Sequence, residues 1–92
     1  MANRETIKLE YPIEIDGVKV AELKLRRPKV RDSLASEKSG GSNAEKEVRL
    51  FANLAEQTTD TIEDLDMLDY GKLQEAYTGF LSSLRKKPGK DA

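Results

Sequence analysis

Thr6-Ile7-Lys8-Leu9-Glu10-Tyr11-Pro12-Ile13-Glu14-Ile15-Asp16-Gly17-Val18-Lys19-Val20-Ala21-Glu22-Leu23-Lys24-Leu25 is the stretch that decides the fold. Ile7, Leu9, Tyr11, Ile13 and Ile15 recur at every second position, the period of a strand with one buried face. Asp16-Gly17 supplies a hairpin turn, because a type I′ turn needs positive φ at both central residues and these two residue types tolerate it. The returning strand carries Val18, Val20, Ala21, Leu23 and Leu25.

The register of this hairpin is informative. A two-residue turn sets Ile15 against Val18 and Ile13 against Val20. Continued without a break, the pairing puts Leu9 opposite Lys24 and leaves Leu23 and Leu25 on the wrong face. One extra residue in the first strand restores Leu9 opposite Leu23 and Ile7 opposite Leu25. Proline is tolerated in sheets mainly at edges and bulges, so a bulge is expected at about Tyr11-Pro12.

Beyond the hairpin the periodicity changes to that of helices. Pro28 suits a first helical turn, and Val30, Leu34 and Ala35 form a short apolar stripe running to about Lys38. The flexible loop 39–43 is rich in glycine and serine. Ser42 and Glu45 form a capping box for a helix that places Ala44, Val48, Phe51, Ala52 and Ala55 on one face, with Leu50 and Leu54 beside it. Asp60 and Glu63 suit the cap of a short helix bearing Ile62 and Leu65. Asp66 and Asp69 stand at the start of the last helix, where the positive end of the macrodipole favours acids. Its expected buried stripe is Leu73, Tyr77, Phe80, Leu81 and Leu84, and Gly79 beside Phe80 leaves room for another helix to approach. The fold class is therefore α+β, an N-terminal antiparallel β-hairpin followed by three to four short α-helices. The expected organisation is an arm over 1–5, one domain over 6–84 (hairpin 6–26, helices 28–84) and a basic disordered tail over 85–92.

Composition narrows the function. The chain has 92 residues, 36% of them charged and 5% aromatic, with a net charge of −1. So small a domain buries only about two thirds of its unfolded surface, and a homo-oligomer is compatible with so thin a core. The balanced charge argues against a dedicated nucleic-acid binder. There is no cysteine and no histidine, which removes disulfides, thiol chemistry, cysteine zinc sites and the commonest general base. No apolar run approaches the ~20 residues of a membrane span, and Met1-Ala2-Asn3-Arg4-Glu5 lacks the apolar stretch of a signal peptide. The expectation is a cytoplasmic protein without a membrane or nucleic-acid partner.

Three features could carry chemistry. Between Leu50 and Gly71 lie six acids (Glu56, Asp60, Glu63, Asp64, Asp66, Asp69) and no Lys or Arg. Their spacing does not match an EF-hand loop, and helix capping with a solvated face explains them without a metal. Lys24, Arg26, Arg27, Lys29 and Arg31 form a basic stretch suited to a solvated face, an acidic protein partner or phosphate, but no aromatic residue is interleaved for base stacking. Asp69-Tyr70 reads as a first-turn pair whose tyrosine ring can be buried while its hydroxyl reaches solvent. No serine has an activating base or a nucleophile elbow, so no catalytic residue and no cofactor are expected.

Two segments carry a family resemblance. Leu9-Glu10-Tyr11-Pro12-Ile13, Asp16-Gly17 and Leu23-Lys24-Leu25-Arg26-Arg27-Pro28 make up the first. Leu65-Asp66-Met67-Leu68-Asp69-Tyr70-Gly71-Lys72-Leu73, with Phe80-Leu81 downstream, makes up the second. In this order the chain resembles the small tail assembly chaperones of contractile-tailed, Mu-like and P2-like phages and prophages, over about 6–84. The resemblance implies a non-catalytic protein of the bacterial host cytoplasm that binds the long helical tape measure protein, keeps it soluble while tube protein polymerises, and is absent from the finished particle. It also implies a longer, frameshifted form that recruits tail tube protein, with the basic tail as the natural junction. The partner-binding candidates are Arg26, Arg27, Asp66, Asp69, Tyr70 and Phe80. Two other functions fit the residues less well: a small nucleic-acid-binding regulator, and a structural tail or baseplate component.

Overall fold

The computed structural model describes residues 4–86, with side chains to residue 82. Strands β1 (Arg4–Ile15) and β2 (Val18–Arg26) form an antiparallel hairpin. Helices α1 (Val30–Ser39), α2 (Asn43–Ala55), α3 (Thr59–Glu63) and α4 (Met67–Lys86) follow. The fold is α+β, as the change of period along the sequence requires. Most of the expected arm and tail, and the side chain of Leu84, lie outside the described residues.

Asp16 and Gly17 both take positive φ, 52° and 79°, which is the type I′ requirement. Ile15 pairs with Val18 and Ile13 with Val20. The pairing then breaks between Lys8 and Ile13, where a bulge was expected, but it resumes with Lys8 opposite Glu22 and Ile7 opposite Leu23. Leu9, Glu10, Tyr11 and Pro12 thus stand against the single residue Ala21. The strand carries three extra residues where one was predicted. Both insertions are odd in number, so both return the apolar residues to the inner face; alternation alone fixes the parity of a bulge and not its size.

The inner face of the hairpin presents Ile7, Leu9, Ile13, Leu23 and Leu25 to Phe51, Ala52, Leu54 and Ala55 of α2, to Ile62 and Leu65, and to Leu73 and Phe80 of α4. Phe51 is fully buried and makes edge-to-face contacts with Tyr70 (5.5 Å) and Tyr77 (5.9 Å), an arrangement that aromatic quadrupoles favour. Leu81 points outward instead of joining the core.

Local capping behaves as the sequence indicates for α2. Glu45 N–H donates to Ser42 Oγ at 3.1 Å, and Ser42 N–H donates to Glu45 Oε1 at 2.9 Å. The cap of α3 is Thr58, whose Oγ1 accepts from Thr61 N–H, in place of Asp60. Asp66 caps α4, its Oδ2 accepting from Leu68 N–H at 2.9 Å. Pro28 lies outside α1, whose N-cap is Lys29.

The largest departure from the sequence reading is α1. Its buried residues are Asp32 and Ser36, while Val30 and Leu34 are 77% and 59% exposed. The predicted apolar stripe faces outward and a polar stripe faces in. Arg26 at the end of β2 reaches Asp32 through two hydrogen bonds, 2.9 and 2.7 Å. Ser36 Oγ donates to the backbone carbonyl of Lys46 in α2 at 2.8 Å. These buried polar partners set the rotation of a helix that has only three apolar residues to bury.

Phe51→Ala removes the ring around which the aromatic cluster packs and is expected to cost about 3–5 kcal/mol, measurable by urea unfolding. Neither Gly71 nor Gly79 has a neighbour within 4 Å of a built Cβ, so the approaching helix expected at Gly79 is not present within this chain. Gly71→Ala and Gly79→Ala are each expected to stabilise α4 by about 0.5–1 kcal/mol, read as a rise in Tm.

Candidate functional site

Six candidate residues were singled out by sequence, and the structure gives them different surroundings. Asp69 lies in the first turn of α4 and has no exposed surface. Its carboxylate accepts from the backbone N–H groups of Glu10 (2.9 Å) and Tyr11 (3.0 Å), the middle of the bulge. Lys72, one turn along α4, places its Nζ 3.5 Å from Asp69 Oδ1 and donates to the Lys8 carbonyl at 2.9 Å. Burial pushes the Asp69 carboxyl up, but the two backbone donors and Lys72 outweigh it and hold the group below the usual carboxylate range. Asp69 is thus spent inside the chain, pinning β1 to α4.

Arg26 is half-buried and committed to Asp32 and to the Arg27 carbonyl. The Arg26 guanidinium lowers the Asp32 carboxyl against the effect of burial, and the Lys29 N–H at 2.8 Å adds to the lowering. Tyr70 packs on Phe51 and donates its hydroxyl to Glu47 Oε1 at 2.6 Å. Burial and the Glu47 carboxylate raise the phenol's pKa, so it remains a neutral donor. Asp66 is exposed but occupied as a cap.

Arg27 and Phe80 come together. The Arg27 guanidinium carbon sits 5.5 Å from the centroid of the Phe80 ring, within cation–π range. Both line a groove of about 640 Å³ between the first half of β1 and the second half of α4. Ile7, Ala76, Gly79 and Phe80 give it apolar surface, and Arg4, Lys8, Arg27 and Lys72 outnumber Glu5 and Glu75 around it. Such a surface suits a segment with an apolar face and acidic flanks.

The basic stretch is divided by the fold. Arg26 and Arg27 turn inward to Asp32 and Phe80, while Lys24, Lys29 and Arg31 are exposed. The acids between Leu50 and Gly71 separate likewise into buried Asp69 and exposed Glu56, Asp60, Glu63, Asp64 and Asp66. Among the described residues no group of three or more acidic side chains is placed to hold a metal ion, and no helix is long and apolar enough to cross a membrane.

Sequence reasoning missed the exposed apolar residues. Val30 and Leu34 were expected in the core, and Met67 and Leu68, 79% and 54% exposed, were read only as part of a helix start. The signal for α1 lay in Asp32 and Ser36, which share a face at i, i+4. Nothing local says which of two opposite stripes turns inward.

A family model described as phage tail assembly chaperone proteins, E, or 41 or 14, matches residues 6–82. No curated protein matches the chain significantly, and no solved structure does. The matched span runs from β1 through the groove-forming part of α4, so it includes the bulge, Asp69, Arg27 and Phe80.

Asp69 and Asp32 have lowered pKa values in the folded state, so the stability they contribute is complete above about pH 4, the ordinary carboxylate range. It is lost as pH falls through their folded values. Wild-type protein is expected to lose stability steeply below about pH 4. Asp69→Asn keeps one acceptor and turns an amide N–H₂ toward a backbone N–H. It should cost about 3 kcal/mol at neutral pH and flatten part of the acid-side decline, as urea unfolding across pH will show.

Proposed function

The chain belongs to the phage tail assembly chaperone family, and from that premise we propose that it is a non-catalytic chaperone of the tape measure protein. In this reading it binds that long helical protein in the cytoplasm of the bacterial host. It keeps the client soluble while tail tube protein polymerises and leaves before the particle is complete. The family match over residues 6–82 is the observation that carries the reading. A longer form that recruits tube protein belongs to the same proposal.

The groove between β1 and α4 supports it physically. A helical segment of the client can set its apolar stripe against Phe80, Ala76 and Ile7, with acidic flanks toward Lys8 and Arg27. Gly79 leaves the groove open at its α4 side, since nothing lies within 4 Å of a Cβ built there. A nucleic-acid role has less support, because the fold divides the basic stretch and commits Arg26 to Asp32.

Co-expression with the tagged tape measure protein encoded nearby tests the proposal. The untagged chain is expected to co-purify with the client and to raise its soluble yield. Gly79→Leu fills the groove from an exposed helical position, so it should abolish co-purification while leaving Tm near the wild-type value. A tape measure protein that still aggregates, with the chain soluble and unbound, sinks the chaperone reading. Finding the protein in purified particles by mass spectrometry makes it a structural tail component instead.

A further inference from the structure

α1 is attached to the domain by its polar stripe, which leaves Val30 and Leu34 stacked one turn apart on its outer face, 77% and 59% exposed. Lys29 and Arg31 stand exposed at the start of that face and Lys38 at its end. None of the three forms an ion pair among the described residues. A second exposed apolar pair, Met67 and Leu68, lies at the corner between α3 and α4, at 79% and 54%. Its surroundings have the opposite sign. Glu63, Asp64 and Asp66 are exposed there without ion pairs, and no Lys or Arg occurs between Leu50 and Gly71.

We propose that the protein assembles head to tail with further copies of itself, the basic apolar face of α1 in one copy seated on the acidic apolar corner of the next. The occupant is a second copy because both halves of the match are present on one chain: two apolar pairs of similar size ringed by opposite charge. Symmetric pairing is opposed by the same charges. Joining α1 to α1 brings Lys29 and Arg31 against their own copies, and joining corner to corner does so for Glu63 and Asp64. The two patches differ, so the contact is heterologous, and repetition gives a ring or an open array. This assembly does not depend on the client.

Sedimentation velocity of the full chain over a range of concentrations tests it. Wild-type protein is expected to grow beyond a dimer as concentration rises, and to shrink when salt screens the charges. Val30→Asp with Leu34→Asp disables the α1 face, and Asp64→Lys with Met67→Lys disables the corner. Each double variant is expected to weaken self-association about tenfold or more with a wild-type circular dichroism spectrum. Mixed one to one, the two variants retain one working face each and should form a dimer that grows no further. Lys29→Glu with Arg31→Glu, which alters charge alone, should break the contact as well and covers the case of an α1 variant that fails to fold. A wild-type chain that stays monomeric throughout overturns the proposal. So do oligomers indifferent to both patches, and a mixture that yields no dimer.

Discussion

Glu10 and Tyr11 present two backbone N–H groups in the stretch where the hairpin ladder breaks, and the buried carboxylate of Asp69 accepts both. Much of the structure depends on that contact. Three extra residues in one strand would leave peptide groups without ladder partners beside an apolar core, where an unmade hydrogen bond costs about 1–3 kcal/mol. Asp69 removes that penalty and in doing so fixes where α4 crosses β1. Lys72 reinforces the junction through the Lys8 carbonyl and the Asp69 carboxylate. The bulge and the first turn of the last helix therefore form one unit, although 59 residues separate Glu10 from Asp69.

A second polar anchor works at the other side of the domain. Arg26 and Asp32 join the end of β2 to the start of α1, and Ser36 joins α1 to α2. Because these anchors turn the polar stripe of α1 inward, its apolar residues are left for something outside the domain. A chain with 36% charged residues and a net charge of −1 then displays its charges in separate basic and acidic regions. That arrangement suits a protein whose work is contact with other proteins, where charge selects partner and orientation.

Local signals were legible where one short stretch contains both the demand and the answer. The period of two, Asp16-Gly17 and the parity of the bulge could be read directly, as could the Ser42–Glu45 box and the apolar face centred on Phe51. Among the candidate residues, Arg27 and Phe80 come together at a groove. Asp69 and Arg26 were singled out as partner-binding candidates and are occupied within the chain. Their partners, Glu10, Tyr11 and Asp32, are chosen by folding, and a single sequence gives no distance between them.

The sequence by itself determined the α+β class, the hairpin, the strong helix and the family, because periodicity, turn chemistry and capping act over a few residues. Only the tertiary structure decided the size of the bulge, the burial of Asp69 and the outward face of Val30 and Leu34. Each of these depends on which distant polar group satisfies a buried donor or acceptor. For a ten-residue helix with two opposed stripes, a pair of well-placed hydrogen bonds outweighs the little apolar surface it could have buried.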